Sequence, residues 1–167
     1  LTPLGPVAVD DDLAERLVAE AGGAIVASTA AHAAEHSIEV QLPFVRTIYP
    51  EARILPVAVL PEPNAGRVGA WAAAAAQALG RRVVALGSTD LTHYGPRYGM
   101  TPAGVGEAGL RWTHDNDARL LDLAVRMDSD RVLAEARSHH NACGSGAIAA
   151  AIRCAAANGG SPGSRIG

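Results

Sequence analysis

The chain has 167 residues, enough for one domain with a sizeable core. Hydrophobic residues make up 49% of it and charged residues 19%, the balance of a packed globule and not of a disordered chain. A net charge of -3 provides no broad positive field, which argues against a non-specific nucleic-acid binder.

Residues 6–9 form a short apolar run of strand length. Asp12-Leu13-Ala14-Glu15 resembles a capping box with Asp12 in the cap role. Leu13, Leu17, Val18 and Ala21 then recur at helical spacing until Gly22-Gly23 stop the pattern. Residues 24–27 read as a second short extended segment. Between Glu35 and Tyr49, Ile38, Leu42, Val45 and Tyr49 share one helical face. Pro43 lacks an N–H and clashes one turn back, so a kink, or a turn followed by a helix, is expected there.

Residues 54–59 are wholly apolar and of strand length, and residues 82–87 read as another buried strand. Between them, residues 65–79 are Ala-rich and helical, with Gly80 as the stop. Residues 104–127 predict a long helix, 129–137 a shorter one and 142–158 the last, ended by Gly159-Gly160. This alternation argues for an α/β fold, a layered sheet with flanking helices. One domain over residues 1–158 and a Gly/Ser-rich tail over 159–167 are expected.

No apolar run is long enough to span a bilayer, and no signal-peptide pattern opens the sequence. Cys143 and Cys154 fall in one mostly helical stretch, too far apart along a helix to pair. A reducing, cytoplasmic setting fits. The abundance of Ala, Arg and Gly hints at a GC-rich bacterial genome.

Three segments gather ligand-type side chains beside apolar structure. In Ser88-Thr89-Asp90-Leu91-Thr92-His93-Tyr94-Gly95 the polar residues follow the strand-like run 82–87, the place where open α/β sheets bind ligands. A carboxylate such as Asp90 beside a histidine such as His93 fixes its tautomer and raises its basicity. The competing reading, equally weighted, is a polar loop in which Asp90 caps a turn. In Glu35-His36-Ser37-Ile38-Glu39, His36 stands at a helix start between two acids that are either partners to it or favourable first-turn charges. In His139-His140-Asn141-Ala142-Cys143-Gly144, Cys143 stands at a loop-to-helix junction, where a helix start favours thiolate. Cys154 fits better as a small buried hydrophobe. His32, His114, His139 and His140 carry weaker signals, and the spacing lacks the paired pattern of a structural zinc site.

Glu35-His36-Ser37-Ile38-Glu39-Val40-Gln41-Leu42-Pro43-Phe44 resembles the first motif of the Memo family, known in prokaryotes as AmmeMemoRadiSam system protein B. Residues 88–95 resemble its second motif and Ala142-Cys143-Gly144 its third, all in family order. The resemblance covers roughly residues 30–155. It implies the fold of class III extradiol dioxygenases (LigB-like), truncated here at both ends. It implies that His36 and Cys143 are metal-site residues, with Asp90 and His93 in the same pocket. The family's further histidine, in an N-terminal motif, is absent from this sequence, which weakens the metal binding expected of this chain.

Two imidazoles and a thiolate suit Fe(II) or Cu better than Mg or Ca, and are compatible with Zn. On this reading the protein is a metal-dependent oxidoreductase of dioxygenase or other redox type. His36 and Cys143 hold the metal, His93 oriented by Asp90 acts as acid/base, and Glu35, Thr89 and Tyr94 line the pocket. Tyr98 reads as ordinary packing. The resemblance equally admits a non-catalytic binding or scaffold module for small molecules or phosphotyrosine peptides, and a purely structural metal site. It implies radical SAM and AMMECR-type proteins as partners, with no direct contact to nucleic acid or membrane.

Overall fold

In the computed structural model, residues 2–166 are described. They form two compact units. One contains residues up to Ala58 together with Trp71–Val83, and the other contains Val59–Ala70 and the residues from Val84 onward.

The first unit begins with α1 (Asp11–Glu20). Its N-cap is Asp10, whose side chain accepts from Leu13 N at 3.2 Å. The cap therefore lies two residues earlier than the expected Asp12. Asp10 is also the better placed of the two, because it is buried and Arg81 Nε stands 3.3 Å from its carboxylate. Next comes the short α2 (Thr29–His32), capped by Ser28. A 3-10 turn over Glu39–Gln41 then leads into α3 (Leu42–Ile48). Pro43 sits in the first turn of α3, where a missing N–H leaves no bond unmade, so the turn-then-helix alternative is the one realised. Leu13 and Leu17 of α1 pack with Ala75 and Ala76 of α4 (Ala65–Ala78), and Leu55, Val57 and Val83 close over them.

The second unit rests on α5 (Glu107–Val125), α6 (Ser129–His139) and α7 (Ser145–Ala157). Leu120 and Leu123 on one face of α5 meet Val132 and Ala136 of α6 and Ile152 of α7. Truncating one of these large buried side chains to alanine costs about 2–5 kcal/mol. Small residues let backbones approach closely. At Gly69 of α4 an added Cβ would collide with the Ala150 carbonyl of α7. The C-terminal stretch has no regular secondary structure, yet it is tied to α5 through Gly163 N to Val125 O at 3.0 Å and Arg165 to Asp122 at 2.5 Å.

The expected layered α/β sheet, extradiol dioxygenase-like, is not what forms. The structure is helical, 51% of it helix, with no sheet among the described residues. Residues 6–9 and 54 contribute one isolated parallel bridge, Val9 to Ile54, and the apolar runs 54–59 and 82–87 build no ladder. The physical reason lies in what satisfies their side chains. Leu55, Val57 and Val83 pack onto helices, which accounts for the apolar signal without strand partners. The opposite side chains stay exposed: Val84 is 86% and Leu86 71% accessible. A run buried on both faces between sheet neighbours would show neither. Among the described residues no helix is long and apolar enough to cross a membrane.

Candidate metal centre

Asp90, His93 and Cys143 converge in the second unit. One ligand atom from each lies within 4.8 Å of the others. His93 Nε2 is 3.4 Å from Asp90 Oδ2, and all three side chains are open to solvent. Cys143 precedes Gly144, the N-cap of α7, and is fixed by a reciprocal pair. Its N–H donates to Asp90 O at 3.2 Å, and Asp90 N–H donates to its Sγ at 3.3 Å. Thr89 locks the same junction. Its hydroxyl donates to Asp90 O at 2.8 Å and accepts from Gly144 N at 2.9 Å. Gly144 has a structural reason as well, because an added Cβ would meet Ser88 O and the Thr89 side chain.

Behind the exposed donors lies a buried amide network that positions both loops. Thr92, between Asp90 and His93, is held by Asp117 of α5, whose Oδ1 accepts from Thr92 N at 3.0 Å and from its hydroxyl at 2.5 Å. Asn116 Nδ2 donates to Thr92 Oγ1 at 2.9 Å and to His139 O at 3.0 Å. Asn141, fully buried, donates to Asn116 O at 2.7 Å and to Glu135 Oε1 at 3.2 Å. Both of its partners are acceptors, which fixes the amide orientation and leaves Asn141 Oδ1 buried without a partner. Glu135 also faces His139 Nδ1 at 3.0 Å, so His139 is a structural histidine.

A cavity of about 320 Å3 shares His93 and Cys143 with the cluster. Leu91, Met100, Ala136 and Ala142 supply its apolar lining. Tyr98 lines it as well, its ring centroid 5.1 Å from that of His93, and so does His140. Tyr94, expected in the pocket, instead turns its hydroxyl to Gly104 O at 2.9 Å.

His36 and Glu35 belong to the first unit. His36 is exposed. The Glu35 carboxylate caps the local turn by accepting from Ser37 N at 2.9 Å and Ile38 N at 3.2 Å. The Ser37 backbone bond holds this carboxyl below its ordinary range. Burial pushes the Cys154 thiol up, consistent with a core role.

The residues that sequence reasoning missed are Asn116, Asp117 and Asn141, and His140 carried only a weak signal. A signal existed for the first: Asn116 stands on the same helical stripe as Leu120 and Leu123, so an amide at a core position should have called for partners. Asn141 lies outside any periodic pattern and left none.

The donor set is chemically coherent for a metal, since oxygen, imidazole nitrogen and thiolate are all common ligands of Fe(II), Zn and Cu. Comparison with known proteins adds a lineage. The chain is 34% identical over 160 residues to a MEMO1 family protein of Pyrococcus horikoshii, covering 91% of this chain and 55% of that protein. It is 37% identical over 155 residues to a MEMO1 family protein of Methanothermobacter thermautotrophicus, covering 90% and 50%. The chain thus spans about half the length of the curated relatives it matches. These relatives are mainly archaeal and lend no support to the bacterial source read from composition. No solved structure matches. The family described as Memo-like protein matches residues 1–165. The chain belongs to the Memo family.

Proposed function

We propose that this protein binds a transition metal through Asp90, His93 and Cys143 and uses it on a small molecule. The observation that carries the reading is the convergence of three different donor types within 4.8 Å beside a cavity. A carboxylate, an imidazole and a thiolate suit Fe(II), Cu or Zn, and a redox-active ion bound there would supply Lewis acidity and electron transfer. Three protein donors leave positions open, as in catalytic sites, whereas structural zinc sites are closed by four. Their exposure fits that openness. Asp90 Oδ2 and His93 Nε2 stand 3.4 Å apart, a separation that two donors to one ion can share, and the reciprocal bonds to Cys143 keep the sulfur in place between the two loops. The family resemblance implies a metal-site role for His36, which belongs to the first unit and is not counted among these three donors.

The test is metal uptake by anaerobically purified protein, with Fe(II), Cu(I) and Zn(II) offered separately. Near-stoichiometric binding that falls sharply in His93→Ala and Cys143→Ser supports the reading, and His36→Ala measures the contribution of that residue. Equal metal content in all variants overturns it. Substrate-dependent oxygen uptake by the iron or copper form identifies redox activity.

A further inference from the structure

His140 combines three properties that no other histidine of the chain is seen to combine. First, it ends α6 with φ 51°, in the left-handed region, and only Met127 shares a positive φ among the described non-glycine residues. Glycine is the usual residue at such a helix end, because a Cβ is disfavoured there. Second, its imidazole is exposed to solvent and has no hydrogen-bond or ion-pair partner among the described residues, while the neighbouring His139 is paired with Glu135. Third, it lines the cavity that contains His93 and Cys143.

The conformation is imposed from both sides. His140 N–H caps α6 through Ala136 O at 2.9 Å, and the next residue, Asn141, is pinned by its bonds to Asn116 O and Glu135. Strained residues persist where the surroundings over-determine them, and they concentrate at ligand sites. A cap alone would be better made by glycine. The imidazole is the only part of His140 that glycine could not supply, and it lines the cavity.

We propose that His140 is a ligand-contacting residue of this cavity. It binds the carboxylate of a small organic acid whose apolar body lies against Leu91 and Met100. It is not a metal donor, since the convergent set is Asp90, His93 and Cys143. The ligand class follows from the lining: an apolar wall takes a hydrocarbon or aryl body, and a free imidazole takes an acidic oxygen. The placement of the acid beside a metal rests on the function proposed above, whereas the contact to His140 does not.

The experiment is a benzoate titration followed by NMR, with zinc-free and zinc-loaded protein, on wild type and His140→Gly. Saturable shifts at Met100 and at the His140 ring are expected in wild type. In His140→Gly, benzoate affinity falls about tenfold or more, the scale of one lost hydrogen bond to a charged group. Zinc uptake and the thermal midpoint of that variant match or exceed those of wild type, which shows that the backbone accepts glycine. Undiminished benzoate binding in His140→Gly overturns the proposal, as does the absence of saturable shifts at these residues in wild type. Loss of benzoate binding in His140→Gly, in a protein that takes up none of Zn(II), Fe(II) and Cu(I), leaves this proposal standing and removes the metal reading.

Discussion

Two buried asparagines in the second unit are predicted to differ in their cost of removal, although both substitutions are Asn→Ala. Asn116 is 1% accessible and every polar atom of its side chain is used. It donates to Thr92 Oγ1 and His139 O, and accepts from Arg119 at 2.7 Å. Asn116→Ala removes those bonds at about 0.5–1.5 kcal/mol each and strands the His139 carbonyl, adding about 1–3 kcal/mol. Alanine's better helix propensity returns roughly 0.7 kcal/mol at most. The expected loss is about 3 kcal/mol. Asn141→Ala also removes two donated bonds, but Glu135 keeps His139 and Arg119 as partners. It also deletes an acceptor, Asn141 Oδ1, that is already buried and unpaired. Relief of that desolvation offsets the lost bonds, leaving about 1 kcal/mol. The assay is urea unfolding followed by Trp112 fluorescence in a Trp71→Phe background, so that α5 reports on its own unit. With a slope of about 2 kcal/mol per molar, the two midpoints should differ by roughly 1 M. An Asn141→Ala loss equal to or larger than that of Asn116→Ala would refute the reasoning.

Gly144→Ala drives a Cβ into Ser88 O and the Thr89 side chain, with an expected cost of about 2 kcal/mol. The same change should weaken zinc binding by displacing Cys143, so a stability loss with unchanged dialysis affinity contradicts the proposed junction. Iodoacetamide should modify exposed Cys143 roughly tenfold or more faster than buried Cys154, whose thiol is held protonated by its surroundings. Bound zinc should slow only Cys143, and peptide mass mapping over time checks both expectations. Glu35 has a folded pKa below its ordinary value of 4.5, chiefly through the Ser37 backbone bond. Its contribution to the turn is therefore complete above that value and is lost as pH falls through the lower folded one. The protection factor of the Ser37 amide, its exchange rate relative to the intrinsic rate at each pH, should fall over that acid window in wild type and lose this dependence in Glu35→Gln.

The helices were legible in the sequence because each combines a periodic apolar face with a stop. Leu13 and Leu17 before Gly22-Gly23, and Leu120 and Leu123 before Met127, are core residues of the structure. The sheet was misread because strand length and apolarity do not specify a partner. In residues 82–87 Val83 packs onto a helical cluster while Val84 and Leu86 face solvent, so an apolar run is satisfied by helices on one side alone. The cluster was half legible. Asp90 and His93 are three residues apart and pair locally, but the approach of Cys143 depends on the Thr89 and Gly144 bonds, which join positions more than fifty residues apart. His140 gave only a weak signal and Asn141 none for the same reason: a left-handed backbone and a buried amide acquire meaning only from what surrounds them.

Exposure of Asp90, His93 and Cys143 would ordinarily argue against a site, since solvated acids and histidines are common on protein surfaces. What separates this trio is the backbone beneath it. Holding three donors in one place costs conformational entropy for every residue that carries them, on the order of 1–2 kcal/mol per residue for the backbone alone. Here that cost is met before any ligand arrives. Thr92 is bonded twice to Asp117, Asn116 ties Thr92 to the end of α6, and the reciprocal Asp90–Cys143 pair joins the two loops. The rigid part is buried and amide-rich, while the reactive groups are exposed and face one another, with the Thr89 hydroxyl 3.9 Å from Cys143 Sγ. An ordinary surface ion pair has no need of such support, because its members lose little by moving apart. A site that must keep an open coordination position requires fixed donors at its back and accessible space in front. The cavity beside His93 and Cys143 supplies that space, and the Asn116–Asn141 network supplies the fixity.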